Sequence, residues 1–164
     1  MQIEQNFSIR ELRPEDNNAI ATIIRSALKE FDANKPGTAY YESATDDLFS
    51  LFQKKNAAYF IAEMEGEIIG GAGIYPTEDL PEGCCELVKI YLTPKTRGKG
   101  IGRALLEECF AAAKQSGYRH VYLESMQELS KAVGMYEKLG FEYLKRPLGN
   151  SGHYACGIWI IKEL

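Results

Sequence analysis

The order of apolar and polar residues divides the chain into strands and helices before any chemistry is considered. FSIRELR, at positions 7–13, alternates as a half-buried strand does. Apolar side chains then recur at helical spacing between Ile20 and Leu28, and a second helix is predicted over positions 40–54. The KPG segment at positions 35–37 separates these two helices.

The middle of the chain is predicted to form three strands in succession. AAYFIAEM and IIGGAGIY flank EGE, which indicates a hairpin that turns near Glu65 and Gly66. A polar loop at positions 76–83 then precedes a long strand, CCELVKIYL, at positions 84–92. We assign all three strands to one sheet.

Helices and strands alternate in the last third of the chain. An apolar stripe between Ile101 and Ala113 predicts a helix that stops at Gly117, and the strand HVYLES follows. Another helix is predicted from about Ser130 to Leu139, ended by Gly140 in the left-handed conformation. FEYL and YACGIWII are the last two predicted strands. The order β-α-α-β-β-β-α-β-α-β-β indicates an α/β layout with one mixed sheet.

Length and charge narrow the class of protein. The 164 residues suit a single domain over positions 1–164, with a core that needs no disulfide or metal. The net charge of −4 argues against a broad basic face for nucleic acid. No apolar stretch approaches the roughly 20 residues that span a membrane, and MQIEQNF lacks the features of a signal peptide. We therefore expect a cytoplasmic protein with no nucleic-acid or membrane partner.

The cysteines do not favour a metal centre. Cys84, Cys85, Cys109 and Cys156 show no CxxC spacing, and reduced thiols are ordinary in the cytoplasm. We expect no metal at the functional site.

The stretch TRGKGIG, at positions 96–102, carries the first chemical signal. It lies between a predicted strand and an amphipathic helix. Its residues of interest are Arg97, Gly98, Lys99, Gly100, Ile101 and Gly102, followed by Arg103. Glycines let a backbone approach a ligand closely, and unpaired N–H groups at a helix start attract an anion. The predicted ligand is a pyrophosphate, and a basic surface turn without a ligand is the alternative.

Two better-known phosphate motifs do not fit this stretch. A P-loop requires Ser or Thr after its lysine, whereas Gly100 follows Lys99. The dinucleotide fingerprint is GxGxxG and opens the first βαβ unit, whereas this chain has GxGxG late in the sequence. A nucleotide-binding oxidoreductase is therefore disfavoured, and the pattern [QR]xxGx[GA] remains.

Two segments together carry a family resemblance. KIYLTPKTRGKGIGRALLE, from Lys89, and AVGMYEKLGF, from Ala132, resemble the main cofactor motif and the second helix motif of the GCN5-related N-acetyltransferase (GNAT) family. The predicted order of elements also matches, so the resemblance covers nearly the whole chain. It implies the GNAT fold, a single mixed and mostly antiparallel sheet of about six to seven strands flanked by about four helices. It also implies an acetyl-CoA-dependent N-acetyltransferase.

The resemblance places the co-substrate on two adjacent segments. The turn from Arg97 to Arg103 would wrap the pyrophosphate of coenzyme A. The strand end at Ile90, Tyr91 and Leu92 would pair its backbone with the pantetheine arm, as an added strand does. A backbone N–H near Leu92 is then the predicted donor to the oxyanion of the tetrahedral intermediate.

Transfer to an amine also requires proton chemistry. An amine with a pKa of about 10 is mostly protonated at neutral pH, so a base must take its proton. The histone-acetylating branch of the family carries a catalytic glutamate at the point on this strand that Glu86 resembles. Glu86 is therefore the predicted base, and Glu124 and His153 are the alternatives. Tyr136 matches the tyrosine of the second motif and is the predicted acid for the leaving thiolate.

One position departs from the family pattern. Leu129 stands where many members carry asparagine, seven residues before the tyrosine. The cofactor contact that this asparagine makes is therefore not expected here.

Positions 28–51 and 144–154 are expected to form the side of the site that binds the acetyl acceptor, with acidic and aromatic residues that suit a cationic amine. We expect a small amine or peptide substrate and a monomer or homodimer. A domain that binds coenzyme A without turnover is the alternative.

Overall fold

The protein, seen in a computed structural model, is described over residues 6–164. Positions 1–5, which contributed to the prediction that no signal peptide is present, lie outside this range. One mixed sheet contains all seven strands: β1 (Phe7–Glu11), β2 (Ala58–Met64), β3 (Glu67–Tyr75), β4 (Cys84–Leu92), β5 (His120–Ser125), β6 (Glu142–Tyr143) and β7 (Ile158–Glu163).

The strands are ordered β1-β2-β3-β4-β5-β7-β6 across the sheet. Only the β4–β5 pair is parallel, and the other five pairs are antiparallel. The predicted mixed and mostly antiparallel sheet is therefore confirmed. Among residues 6–164, four α-helices accompany it: α1 (Asn17–Glu30), α2 (Leu48–Leu51), α3 (Ile101–Gln115) and α4 (Ser130–Lys138). Within the described part of the chain, no helix combines the length and the apolar character required to cross a membrane.

The sheet is covered on both faces, and β2 shows how. Phe60 and Ala62 belong to the apolar cluster that α3 and α4 complete, whereas Tyr59 and Ile61 belong to the cluster completed by α1. Successive strand residues point to opposite faces, so one strand serves two cores. This explains why the central strands are nearly continuous apolar runs.

The turn chemistry predicted from glycine is confirmed at two places. β2 and β3 are joined by Glu65 and Gly66, with φ of 53° and 80°, as a two-residue hairpin turn requires. Gly140 follows α4 with φ of 93°, which is the left-handed conformation expected at a helix end.

The prediction of a long second helix over positions 40–54 is wrong. This segment forms two 3₁₀ turns, Ala39–Tyr41 and Ser43–Asp47, before the four-residue α2. Side-chain bonds replace the helical ladder: Thr45 donates to the carbonyl of Ala39, and the carboxylate of Asp47 accepts from the Ser50 N–H. The last two strands are shorter than predicted. FEYL forms a strand only at Glu142–Tyr143, and the final strand begins at Ile158.

A buried ion pair between Arg10 and Asp16 lies directly before α1. Asp16 is 2% exposed and accepts from Arg10 at 2.7 and 2.9 Å and from the Arg13 N–H at 2.7 Å. Arg10 also contacts Glu63 on β2. Burial alone would raise the pKa of Asp16, but the hydrogen bonds from Arg10 and Arg13 outweigh it and lower the pKa.

Replacing Asp16 with Asn is expected to lower the free energy of unfolding by about 2 kcal/mol, because Arg10 and the Arg13 N–H lose their charged partner. Because the pKa of Asp16 is lowered by folding, its contribution is complete above the unfolded pKa and disappears as the pH falls through the folded value. Urea unfolding of wild type and variant should therefore converge in acid. Asp46→Asn is the control, since Asp46 is 64% exposed in its pair with Arg25; an equal effect of both substitutions would contradict this account.

Candidate active site

The site begins where β4 and β5 part. These strands pair only from Cys84 to Glu86, against His120 to Tyr122, and their remaining residues carry no mutual pairing. A cavity of about 560 Å³ opens between them. Its lining includes Leu87 and the strand end from Lys89 to Leu92, the turn glycines, Leu123–Ser125 and residues of α4. The volume is in the range of small-molecule and cofactor sites, about 300–1,000 Å³.

A β-bulge directs the end of β4. Gly71 pairs with Tyr91 and Gly73 with Val88, so that Lys89 and Ile90 lie opposite the single residue Ala72. Lys89 has φ of 52°, a left-handed conformation that costs a non-glycine residue about 1–2 kcal/mol. The buried hydroxyl of Tyr59 donates to the Lys89 carbonyl at 2.7 Å, which gives that carbonyl a partner.

The turn predicted to hold pyrophosphate leads directly into α3. Gly98 and Gly100 have φ of 75° and 79°, and Gly100 is the residue that precedes the helix, without a side-chain cap. The first N–H groups of a helix have no partner within it, and they and the helix dipole favour an anion. Gly98, Gly100, Gly102 and Arg103 line the cavity, so this end of it is suited to a phosphate group.

Arg97 is engaged within the protein. Its guanidinium donates to the Leu92 carbonyl at 3.0 Å, pairs with Glu30 and lies 4.8 Å from the centre of the Phe31 ring. These contacts connect the turn to β4 and α1, and Arg97 also lines the cavity; that its charge serves the ligand stays a prediction. Lys99 and Arg103 are more exposed, and Arg103 also bonds to Glu107 on its own helix.

Tyr136 lines the same cavity from α4. Its side chain is 3% exposed, and the Phe141 ring packs edge-on against it at 5.7 Å. Burial is the main reason that its pKa is raised above the usual value, followed by the nearby Tyr91 and Cys109. The phenol is therefore protonated at neutral pH and able to donate a proton.

Glu86 lies at the last position of β4 that pairs with β5, on a second and smaller cavity. This cavity of about 50 Å³ shares Leu87, Lys89 and Glu124, among other residues, with the larger one. Glu86 is 2% exposed, and its Oε1 accepts from the Thr77 hydroxyl at 2.6 Å. Glu124, on the neighbouring β5, accepts from the Tyr122 hydroxyl at 2.6 Å and from Ser151.

His153 joins these two carboxylates to a third. Its Nδ1 lies 3.8 Å from Glu86 Oε2 and 3.7 Å from Glu124 Oε1, and its Nε2 contacts Glu42. Glu42 Oε2 also accepts from Lys89 at 2.7 Å. The structure therefore brings all three predicted base candidates together at one point, and adds Glu42 and Lys89.

The charged residues in this group shift one another's pKa values. Burial alone would lower the pKa of His153, but the bonds and charges of Glu42 and Glu86 outweigh it and raise the pKa to about 9. Burial opposes ionisation of Glu42 as well, yet the His153 hydrogen bond and the Lys89 charge lower its pKa to about 2. At neutral pH the imidazole is charged and held between carboxylates.

The spacing of Glu86, Glu124 and His153 bears on the prediction that no metal takes part. Their donor atoms lie within 4.8 Å of one another, a distance that a metal ion also tolerates. A protonated imidazole has no lone pair to offer a metal, so the resting arrangement favours proton chemistry. The absence of a metal remains a prediction.

The thiols are poor nucleophiles. All four cysteines are free, and burial raises the pKa of Cys84 to about 11 and those of Cys85 and Cys156 to about 12. Cys156 lines the smaller cavity in its protonated form.

The roles of Lys89 and Tyr59 were not foreseen from sequence. Lys89 belongs to a strand that was predicted to be regular, and no local sequence pattern predicts the bulge there. The side chain of Lys89 is 5% exposed and pairs with Glu42. The glycines of IIGGAGIY are the available signal. A Cβ on Gly71 or Gly73 would lie 2.5 to 2.6 Å from the Tyr59 ring, so the ring occupies space that only glycine leaves.

Comparison with known proteins places this geometry in a family. The sequence profile described as "Acetyltransferase (GNAT) family" matches residues 20–141. The uncharacterized N-acetyltransferase YjgM of Escherichia coli (strain K12) is 36% identical over 162 residues, which cover 98% of this chain and 96% of that protein.

Solved structures show the same fold at lower identity. An acetyltransferase of the GNAT family from Staphylococcus aureus Mu50 has a TM-score of 0.85 at 19% identity, covering 96% of this chain and 99% of that one. A GNAT-superfamily phosphinothricin acetyltransferase from Sinorhizobium meliloti, solved in complex with AcCoA, has a TM-score of 0.76 at 22% identity, covering 98% and 89%. The profile match, the near full-length relative and the shared fold together show that this chain belongs to the GNAT family of N-acetyltransferases.

Proposed function

We propose that this enzyme uses acetyl-CoA and transfers the acetyl group directly to a primary amine of a small molecule or peptide. The observation that carries the proposal is the contact between two cavities of different chemistry. The larger ends at the glycine turn and α3, and the smaller holds Glu86, Glu124 and His153. Because the two share Leu87, Lys89 and Glu124, a thioester in one would meet an amine in the other.

The larger cavity suits coenzyme A along its whole length. The start of α3 offers N–H groups and positive potential to the pyrophosphate. The end of β4, from Ile90 to Leu92, lines the cavity beyond the bulge, where β5 no longer pairs with it. Main-chain groups there are available to the amides of the pantetheine arm, and the N–H near Leu92 remains our candidate donor to the oxyanion.

Glu86 is our candidate base. It is enclosed beside the smaller cavity, and Thr77 orients one of its oxygens while the other faces His153. An acceptor amine that reaches the shared wall of the cavities comes next to this carboxylate. Removal of its proton leaves the nitrogen lone pair free to attack the thioester carbonyl.

Tyr136 is our candidate acid. It lies across the larger cavity on α4, and its hydroxyl is protonated because burial raises the pKa. When the C–S bond breaks, the thiolate of coenzyme A takes a proton from this phenol. Since the cysteines near the site are protonated, direct transfer requires no acetyl-cysteine intermediate.

The setting of the enzyme is part of the proposal. The net charge of −4 and the ordinary apolar content suit a single cytoplasmic domain that acts as a monomer or homodimer. The smaller cavity, about 50 Å³, favours a slender amine over a bulky one.

The first test is calorimetry with acetyl-CoA, followed by a thiol-release assay over amines, amino acids and short peptides. Binding with release for one class of amine would support the transferase and name the acceptor. Tight binding with no release from any acceptor would favour a domain that holds coenzyme A without turnover. Failure to bind acetyl-CoA would contradict the proposal.

Tyr136→Phe is expected to lower turnover by about 100-fold while acetyl-CoA affinity stays nearly the same, because one proton donor is lost and the ring is kept. Steady-state kinetics and calorimetry measure the two quantities. Tyr143→Phe is the matched control, since Tyr143 is 56% exposed on β6 and bonds to Glu137. Unchanged turnover of Tyr136→Phe would show that another group protonates the thiolate.

Gly100→Asp is expected to abolish measurable acetyl-CoA binding, because it adds bulk, negative charge and a left-handed strain beside the predicted pyrophosphate. Gly66→Asp introduces the same residue at a similar φ of 80° in the β2–β3 turn, and it should bind normally. Calorimetry compares the two variants. Normal binding by Gly100→Asp would mean that the turn does not hold the pyrophosphate.

A further inference from the structure

The reaction leaves Glu86 with a proton that has to reach solvent. An ammonium acceptor carries three N–H protons, and the product amide keeps one. The N–C bond forms and the C–S bond breaks, Tyr136 gives its proton to the thiolate of coenzyme A, and one of the other two amine protons restores the phenol. The remaining proton is released to water in every turnover. Glu86, 2% exposed, cannot pass it to bulk solvent directly.

His153 is a partly exposed titratable neighbour of Glu86 and lies next to its second carboxylate oxygen. Thr77 donates to Oε1 of Glu86, so that oxygen is occupied. Oε2 faces His153 Nδ1 at 3.8 Å, and the side chain of His153 is 17% exposed. The separation exceeds a hydrogen bond, but the adjoining cavity of about 50 Å³ has room for a bridging water.

Glu42 determines which nitrogen of His153 exchanges its proton. It contacts Nε2 and is itself held by Lys89 at 2.7 Å. A neutral imidazole therefore keeps its proton on Nε2, where the carboxylate accepts it, and presents the lone pair of Nδ1 to Glu86. The arrangement parallels the carboxylate–imidazole pair that sets the tautomer in hydrolases.

We propose that His153, oriented by Glu42, takes the proton from Glu86 at Nδ1 and releases it to solvent, which restores the base for the next acceptor. This inference rests on the proposed function. His153 acts through Glu86, so it is a positioning residue and not the base that meets the amine. Glu42 stabilises the imidazolium and fixes the ring.

The charges around the ring favour proton uptake by the imidazole. Against the effect of burial, the bonds and charges of Glu42 and Glu86 raise the pKa of His153 to about 9, so a neutral His153 binds a proton strongly. The form that accepts a proton from Glu86 is the neutral imidazole, which becomes common as the pH approaches 9.

The other groups that face His153 do not replace it. Glu124 lies 3.7 Å from the same Nδ1, but its oxygens already accept from Tyr122 and Ser151. Lys89 is bound to Glu42 and buried. Cys156 lines the cavity with a thiol whose pKa is raised to about 12, so it does not exchange protons at neutral pH.

The experiment compares His153→Gln with His120→Gln, the chain's other histidine, which lies at the start of β5. With acetyl-CoA and an amine that the wild type acetylates, His153→Gln is expected to lower kcat by about 10-fold or more, and the acetyl-CoA affinity should not change. Imidazole added to the assay should restore kcat by carrying the proton instead. His120→Gln should behave as wild type. A chelator is present throughout, so that metal effects are excluded.

The pH profile adds a second readout. In the wild type, kcat should rise with pH up to about 9, because neutral His153 is the form that accepts the proton; His153→Gln should lack this rise. Glu42→Gln should lower kcat and show partial rescue by imidazole.

Two results would overturn the relay. One is a His153→Gln variant with the kcat and pH profile of the wild type. The other is a loss that imidazole does not restore, which indicates a purely structural role. Both leave the proposed function standing, because wild-type acetyl transfer is measured in the same series.

Discussion

One hydrogen bond holds the geometry on which this active site depends, from the Tyr59 hydroxyl to the Lys89 carbonyl. A bulge in the middle of a buried strand leaves polar backbone groups outside the ladder, and each requires a partner. Tyr59 supplies it, and the glycines of β3 leave space for the ring that carries the hydroxyl. The bulge lies in the part of β4 that β5 no longer pairs with, and the residues that follow it line the larger cavity.

The same bulge contributes Lys89 to a charged cluster at the smaller cavity. Three carboxylates, Glu42, Glu86 and Glu124, converge with two cations, Lys89 and His153. Burying unpaired charges is expensive, so such a group persists only when its members compensate one another. The net charge of this set is one negative. An ammonium would neutralise it, which is consistent with the proposed amine acceptor.

Backbone and side chains divide the work. In the proposed function, helix N–H groups and the strand end provide binding that depends little on side-chain identity, and glycines are the local signal of such a turn. Proton transfer instead requires particular side chains at particular distances. These come from β4, β5, α4, the 3₁₀ segment near Glu42 and the loop before β7.

Local sequence was sufficient for much of this protein. The strands, the Glu65–Gly66 turn, the end of α4 and the glycine turn before α3 follow from periodicity and from conformations open to few residues. Tyr136 was predicted from a motif and Glu86 from its position on a strand. In the structure Tyr136 lines the larger of the two joined cavities and Glu86 lines the smaller. Only the tertiary structure decided that the segment after α1 winds as 3₁₀ turns, that β4 bulges at Lys89, and that Glu42 and His153 meet. These depend on contacts between residues far apart in sequence, where no local pattern records which side chain fills which space.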